Sequence, residues 1–360
     1  MPKGPPDQER TQRCRTESVV LFTRQLATML RAGIPITRAL DTLQSTSEDP
    51  ALARVLVRTN QRVSEGYTLS RALAYYPRVF NPLYLAMVGV GETSGDLEGT
   101  LDRLATWLER DQGVGQKVRA ALVYPAFVLS MTGILTLVIF HTALPGFVKI
   151  FREMRLELPL MTRMLVLATD SVRNPGTWLV GLGLLVGGAG WFRATLASKA
   201  GASRLYAALM TMPLIGSLVR NGSVARFASA MEAMIATGVP LVSCLKNAGQ
   251  ATGNPAMEQD LERAVGRLTE GGYLSEHFGS HPELYPPTFA HMIRAGEEAS
   301  ALEPMFARLS AYYDQEVNYQ IESVTAALEP LLMGLVSLIV GFVVIALFLP
   351  MYGYLGRLGS

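Results

Sequence analysis

The chain has 360 residues, of which 49% are hydrophobic and only 17% are charged, and its formal net charge is +2. A nucleic-acid-binding protein would carry a concentrated basic excess on one domain, and no segment does so here; we therefore expect no nucleic-acid partner. The two cysteines, Cys14 and Cys244, lie in different polar segments, which is typical of free thiols in a reducing compartment.

The N-terminal segment is polar and contains prolines, without the apolar core of a secretory signal. We predict that residues 1–16 form a mobile tail and that the polar domain after it stays in the cytoplasm.

The first polar domain, residues 17–121, has the periodicity of helices. Phe22, Leu26 and Met29 recur at three- and four-residue spacing, as in an amphipathic helix. Gly33 suits the end of that helix, and Pro35 suits the first turn of the next. No alternating strand pattern bounded by hairpin turns occurs, so we predict an all-α fold in which this domain is a small helix bundle.

The segment from residue 87 to residue 97, MVGVGETSGDL, predicts a sharp corner between two helices. We expect a helix that glycine stops, and a restart at Leu97 that Thr93 or Ser94 caps. Its acidic residues fit two interpretations: a purely structural corner, or exposed carboxylates, Glu92 and Asp96, that meet a partner's basic face.

Three stretches almost free of charge predict membrane spans, because about 20 apolar residues cross a bilayer. We therefore predict an all-α membrane protein whose remaining parts are, in chain order, a first transmembrane helix (122–144), an external loop (145–175), a second, glycine-rich transmembrane helix (176–192), a second cytoplasmic helical domain (193–325), a third transmembrane helix (326–349) and an external tail (350–360).

The second half of the chain repeats the first at a constant offset of 205 residues, which indicates a duplicated unit. The repeat extends from the polar domain into the apolar stretch. The matched positions include Phe22 and Phe227, Gly33 and Gly238, Pro35 and Pro240, Gly91-Glu92 and Gly296-Glu297, Pro125 and Pro330, and Pro145 and Pro350.

The second corner carries its own carboxylates, Glu297 and Glu298, but Ser300 replaces the glycine found at position 95. We expect this corner to be less sharp. The two domains then need not bind a partner equally, and we predict that the first domain binds more strongly.

Basic residues before the first span favour a cytoplasmic N-terminus, and three spans then place the C-terminus outside. Five basic residues in the external loop oppose this orientation, although acidic residues are mixed among them. With the N-terminus inside, both polar domains face the cytoplasm.

His277 and His281 have the four-residue spacing of a helical metal-binding pair. The positions 205 residues earlier are Ala72 and Tyr76, so the pair is not part of the duplicated design. Pro282 also disfavours helix through His281. We expect two solvent-exposed histidines and no metal.

Two ionisable residues lie in or beside the predicted spans, where such groups are functional candidates. His141 lies near the external end of the first span, where it can reach the interface. Glu329 lies at the start of the third, where it either reaches the cytoplasmic interface or meets a charged group of a partner.

The chain lacks the motifs of the common enzyme classes. No Gly-x-x-x-x-Gly-Lys-Ser/Thr segment occurs, and no nucleophile–base set or carboxylate pair falls on one element. We expect neither catalysis nor a cofactor.

On the paired Phe-x-x-x-Leu…Gly-x-Pro segments, the Gly-Glu-Thr-Ser-Gly-x-Leu segment and the proline-bounded spans, the chain resembles the type II secretion system F family over residues 17–350. The resemblance implies a scaffold in the bacterial inner membrane whose cytoplasmic domains meet a hexameric secretion or pilus ATPase. It also implies contacts with pilin or pseudopilin subunits, with inner-membrane assembly proteins, with lipid and with a second copy of the chain, most simply as a dimer.

A small secondary transporter built from a tandem repeat is the alternative. Three spans leave little room for a substrate path, and transporters usually place polar groups on broken helices at the midplane. Gene neighbourhood separates the two, because a platform gene is expected beside ATPase and pilin-like genes.

Overall fold

The computed structural model describes residues 12–153 and 215–358, together with scattered positions between residues 162 and 212. Throughout this part the regular elements are helices, as predicted, and no strand is found. The first copy contains α1 (Thr16–Arg31), α2 (Ile36–Thr46), α3 (Pro50–Ser64), α4 (Leu69–Leu73), α5 (Pro82–Ser94) and α6 (Leu97–Glu153). The second contains α7 (Ile215–Ile235), α8 (Leu241–Ala251), α9 (Pro255–Thr269), α10 (Leu274–Gly279), α11 (Pro287–Glu298) and α12 (Leu302–Leu358).

The helix bounds reproduce the predicted duplication. Helices α2 and α3 begin and end 205 residues before α8 and α9, and α4, α5 and α6 begin 205 residues before α10, α11 and α12. The repeat is therefore a repeat of structure as well as of residue types.

The same local signals start equivalent helices. The Asp49 carboxylate accepts a hydrogen bond from the Ala51 amide at 2.9 Å, and Pro50 occupies the first turn of α3. In the second copy the Asn254 side-chain oxygen accepts from the Ala256 amide at 3.1 Å. Asp and Asn are both strong N-caps, so the two copies begin this helix by the same physical means.

Aromatic side chains form the centre of each polar domain. In the first, Phe22 lies 6.3 Å from Phe80, which lies 4.9 Å from Tyr84, as measured between ring centroids. In the second, Phe227 contacts four aromatic rings at 5.9–6.5 Å, those of Phe278, Tyr285, Phe289 and Phe306. Burial of these rings, together with that of the aliphatic side chains around them, stabilises each bundle.

The chain divides into two compact units, and the first contains both polar domains, residues 1–117 and 203–320. The two domains contact each other within it: α5 packs on α8, and Arg110 pairs with Glu232 at 3.2 Å. Lys117 Nζ also donates to the Asn318 side-chain oxygen at 2.7 Å. The duplicated domains therefore form one body.

The second unit consists of residues 118–202 and 321–360. Two helices in the described part of the chain, α6 and α12, are long and apolar enough to cross a membrane. Their large side chains are largely unburied: Phe127 is 67% exposed and Leu338 is 70% exposed. A soluble protein would bury such a surface, so these residues suit contact with lipid.

Within this second unit the two apolar segments also contact each other. Leu144, Val343 and Ala346 form a buried cluster. The Thr162 hydroxyl donates to the Ala346 carbonyl at 2.7 Å.

Several predicted segments fall wholly or mostly outside the described residues: the tail at 1–16, the loop at 145–175 and the second span at 176–192. The remaining boundaries, near residues 121, 144, 325 and 349, fall inside the continuous helices α6 and α12. These boundaries stay predictions.

Candidate functional site

The two corners are the most distinctive local structures that the repeat shares. The first corner, residues 91–96, joins α5 to α6, and the second corner, residues 296–301, joins α11 to α12. Each long apolar helix therefore begins directly after a corner of a polar domain.

The glycine of each Gly-Glu pair allows two helices to approach closely. A Cβ atom on Gly91 would lie 2.7 Å from Thr100 Oγ1 and 2.8 Å from Thr100 Cβ. On Gly296 it would lie 2.9 Å from Met305 Cγ. Both are shorter than van der Waals contact, so glycine lets the helix before the corner pack against the helix after it.

The glutamate of the first pair points inward to α4. The Glu92 carboxylate accepts hydrogen bonds from the Leu69 amide, from the Ser70 amide at 3.0 Å and from the Ser70 hydroxyl. These amides belong to the first turn of α4, where no helical carbonyl is available to them.

The second copy repeats this contact. The Glu297 carboxylate accepts from the Leu274 amide at 2.6 Å and from the Ser275 amide at 3.1 Å, both in the first turn of α10. The expectation of exposed carboxylates was wrong for Glu92 and Glu297, since both are half-buried and tie a short helix to the corner. The sequence did not reveal this role, because the partner amides lie more than 20 residues upstream of each glutamate. The available signal was that a short helical segment precedes the glutamate in both copies.

The first corner turns at Gly95, which has φ 77° and ends α5 in the left-handed conformation. The helix continues through Gly91 and Glu92 and ends at Ser94, so the glycine that stops it is Gly95, four residues after Gly91. Helix α6 is capped by Asp96, whose carboxylate accepts from the Gly99 amide at 2.9 Å. The predicted caps, Thr93 and Ser94, were wrong because both are still part of α5.

The second corner keeps the same turn despite its serine. Ser300 has φ 52° and is the one non-glycine residue with positive φ in the described part of the chain. The expectation of a less sharp corner was therefore wrong for the backbone. Backbone shape therefore gives no reason for the two domains to bind a partner differently. The stronger binding by the first domain stays a prediction.

Two carboxylates of the corners face solvent. Asp96 and Glu298 are both exposed, one at each corner. Nearby, Glu98 forms an ion pair with Arg31 at 3.5 Å. Asp96 and Glu298 are thus the members of the predicted partner-binding set that a protein in solution can reach.

The histidine pair is less exposed to solvent than predicted. Helix α10 ends at Gly279, before Pro282, as expected, but His277 is only 1% exposed and its Nε2 lies 2.9 Å from Asp260 Oδ2. Burial raises the pKa of the Asp260 carboxyl, but His277, Tyr285 and His281 together lower it by more, so the net shift of this pKa is downward. The expectation of solvent-exposed histidines was wrong for His277, because Asp260 supplies a buried polar partner.

The two ionisable residues at the predicted spans, His141 and Glu329, are both exposed on α6 and α12. The structure does not bring either of them to the corners as part of one site.

Comparison with known proteins gives a match to the family described as "Type II secretion system (T2SS), protein F", over residues 22–145 and again over residues 227–350. The two matched segments are offset by 205 residues and each spans a corner. The chain belongs to the type II secretion system protein F family. Its membership, with the two apolar helices, identifies it as a membrane protein of secretion and pilus machinery.

Individual relatives include proteins named for pilus assembly and proteins named for type II secretion. Type IV pilus assembly protein PilC of Thermus thermophilus is 32% identical over 95% of this chain and 84% of its own length. PilC of Pseudomonas aeruginosa is 30% identical over 93% of this chain and 89% of its own length. Type II secretion system protein F of Aeromonas hydrophila is 32% identical over 93% of this chain and 86% of its own length.

Proposed function

We propose that this protein is an inner-membrane platform that couples a cytoplasmic hexameric ATPase to the insertion or removal of pilin or pseudopilin subunits. The observation that carries the proposal is the repeated corner. At each corner one carboxylate holds the fold and another is exposed, and a long apolar helix begins within a few residues. A force applied at a corner acts directly on the start of a helix that continues into the apolar segment.

The role we assign is structural. The platform transmits work and carries out no chemical step of its own, so the energy comes from the ATPase. Names of relatives such as PilC support the setting in pilus assembly or secretion.

The proposed topology has three spans, with the N-terminus and both polar domains in the cytoplasm and the C-terminus outside. The contact between the two domains supports a common side, because a bilayer cannot separate domains that touch. The apolar helices then contact lipid, filament subunits, other assembly proteins and a second copy of the chain, with Glu329 and His141 near the two interfaces.

The test removes the exposed charges and keeps the fold. Asparagine is as good an N-cap as aspartate, so Asp96→Asn keeps the start of α6. We expect Asp96→Asn combined with Glu298→Gln to reduce co-purification with the cognate ATPase several-fold, with the larger loss at low salt because the contact is electrostatic.

The matched control neutralises Glu65 and Glu270, two exposed carboxylates related by the same offset at the ends of α3 and α9. Glu65→Gln combined with Glu270→Gln is expected to leave co-purification unchanged. If the Asp96/Glu298 double variant co-purified with the ATPase as well as the Glu65/Glu270 double variant, the corners would not be the ATPase contact.

A further inference from the structure

A cluster of three potential metal ligands lies in the second polar domain, away from the corners. It consists of Asp260 in α9, His277 in α10 and His281 in the turn that follows α10. Each residue offers one ligand atom, and these atoms all lie within 4.8 Å of one another. The Asp260 side chain is fully buried and that of His281 is 22% exposed, so the cluster is closed on one side and reachable on the other.

Contacts of the His281 ring turn its second nitrogen towards Asp260. The His281 Nδ1 atom lies 3.0 Å from the His277 carbonyl oxygen, which can only accept a hydrogen bond, so Nδ1 is the donor. The opposite nitrogen, Nε2, then faces Asp260 Oδ1 at 3.4 Å. The geometry therefore directs Nε2, the nitrogen that would bind a metal ion, at the carboxylate.

The Asp260 Oδ1 atom is also short of partners. Among the described residues it accepts no hydrogen bond of good geometry, although the exposed Arg263 lies 3.4 Å from it. The Tyr285 hydroxyl lies close enough to the carboxylate to help lower its pKa, but it too lacks a well-formed hydrogen bond. A hydrogen bond from the second ring nitrogen to a backbone carbonyl, as His281 makes to His277, is the usual way in which proteins orient a histidine metal ligand.

The first copy of the repeat serves as an internal control. The residues 205 positions earlier are Val55, Ala72 and Tyr76, all fully buried. In the first domain this place is therefore filled by two aliphatic side chains and a tyrosine, whose hydroxyl accepts a hydrogen bond from Arg62. None of the three offers the imidazole or carboxylate groups found together in the second domain, and packing alone does not require those groups.

We propose that Asp260, His277 and His281 bind a divalent transition-metal ion, of which Zn²⁺ is the probe. Tetrahedral zinc at about 2.0–2.1 Å from nitrogen and oxygen ligands places those ligands about 3.3 Å apart. His277 Nε2 lies 2.9 Å from Asp260 Oδ2, and His281 Nε2 lies 3.4 Å from Asp260 Oδ1. The ligand atoms all lie within 4.8 Å of one another, so side-chain movements of about 1–2 Å bring them to the zinc distances. The exposed side at His281 leaves the fourth position to water, and the ion joins α9, α10 and the following turn.

The experiment uses the full-length protein in detergent, purified through a tag without histidine and treated with a chelator. Titration with Zn²⁺ against a chromophoric chelator is expected to give one tight site per chain. His277→Ala and His281→Tyr, which introduce the residues of the first copy, are expected to weaken binding by at least about tenfold each. The chain has four histidines, so His291→Ala, at an exposed position, is the matched control and should bind like the wild type.

A second measurement does not depend on the folding of the variants. Co²⁺ bound to the wild type should show the intense visible absorption of a four-coordinate ion, and Zn²⁺ should displace it. Absence of zinc binding by the wild type, equal binding by His277→Ala, or a weak six-coordinate cobalt spectrum would each overturn the proposal.

Discussion

Ser300 takes the left-handed backbone conformation that Gly95 takes at the equivalent position. A side chain in this conformation is strained by about 1–2 kcal/mol, because its Cβ approaches the following carbonyl oxygen. The second corner therefore keeps its shape at a cost in stability that the first corner does not carry.

This strain predicts opposite effects of reciprocal substitutions. Ser300→Gly should stabilise the protein by about 1 kcal/mol, and Gly95→Ser should destabilise it by a similar amount, since no atom lies within 4 Å of a Cβ on Gly95 and strain alone decides the result. Melting temperatures of the detergent-solubilised chain measure both. A lower melting temperature for Ser300→Gly would show that the serine side chain makes a compensating contact.

Single residues also mark where sequence reasoning ended. The spacing around Gly91-Glu92 located the corner, but it did not reveal that the carboxylate serves α4 or that Asp96 is the cap of α6. Likewise, the four-residue histidine spacing could not reveal Asp260, which lies on another helix. Periodicity reports which face of a helix is apolar, whereas these contacts depend on how helices meet.

At the level of elements, the crossing of α5 with α6 depends on the absence of a side chain at Gly91. The nearest obstacle to a Cβ there is Thr100, whose Cβ is attached directly to the backbone and cannot move aside. The helices would have to separate for any larger residue to fit.

We therefore expect Gly91→Ala to destabilise the first domain by about 1–3 kcal/mol through overpacking. Gly89 in the same helix is the matched control, because a Cβ there meets Ser70 Cβ at an ordinary 3.7 Å. Gly89→Ala should be neutral or stabilising by up to about 1 kcal/mol, since alanine favours helix. Thermal unfolding followed by circular dichroism distinguishes the two, and equal melting temperatures would refute the crossing argument.

The elements themselves were largely predictable. Apolar spacing and the Gly-x-Pro breaks gave α1 and α2 and their copies, and the charge-free stretches gave the apolar segments of α6 and α12. Their continuity was not predictable, because a change from polar to apolar composition looks like a domain boundary even where the helix does not stop.

For the whole molecule, the duplication is the dominant feature, and the structure adds that the two polar domains touch. Two copies in contact offer a partner two similar corners in one body. A hexameric motor that binds this body can act on both long helices. In the proposed platform role, this is how the motor's work reaches the apolar segments.

The most direct test of this role is photo-crosslinking in cells that contain the complete machinery. A photoreactive amino acid placed at Asp96 or at Glu298 is expected to form an adduct with the cytoplasmic ATPase, whereas the same group at Glu65 is expected to form none. Adducts from both corners would support a platform whose two domains meet the motor on one side of the membrane. Adducts from Glu65 with none from either corner would contradict it.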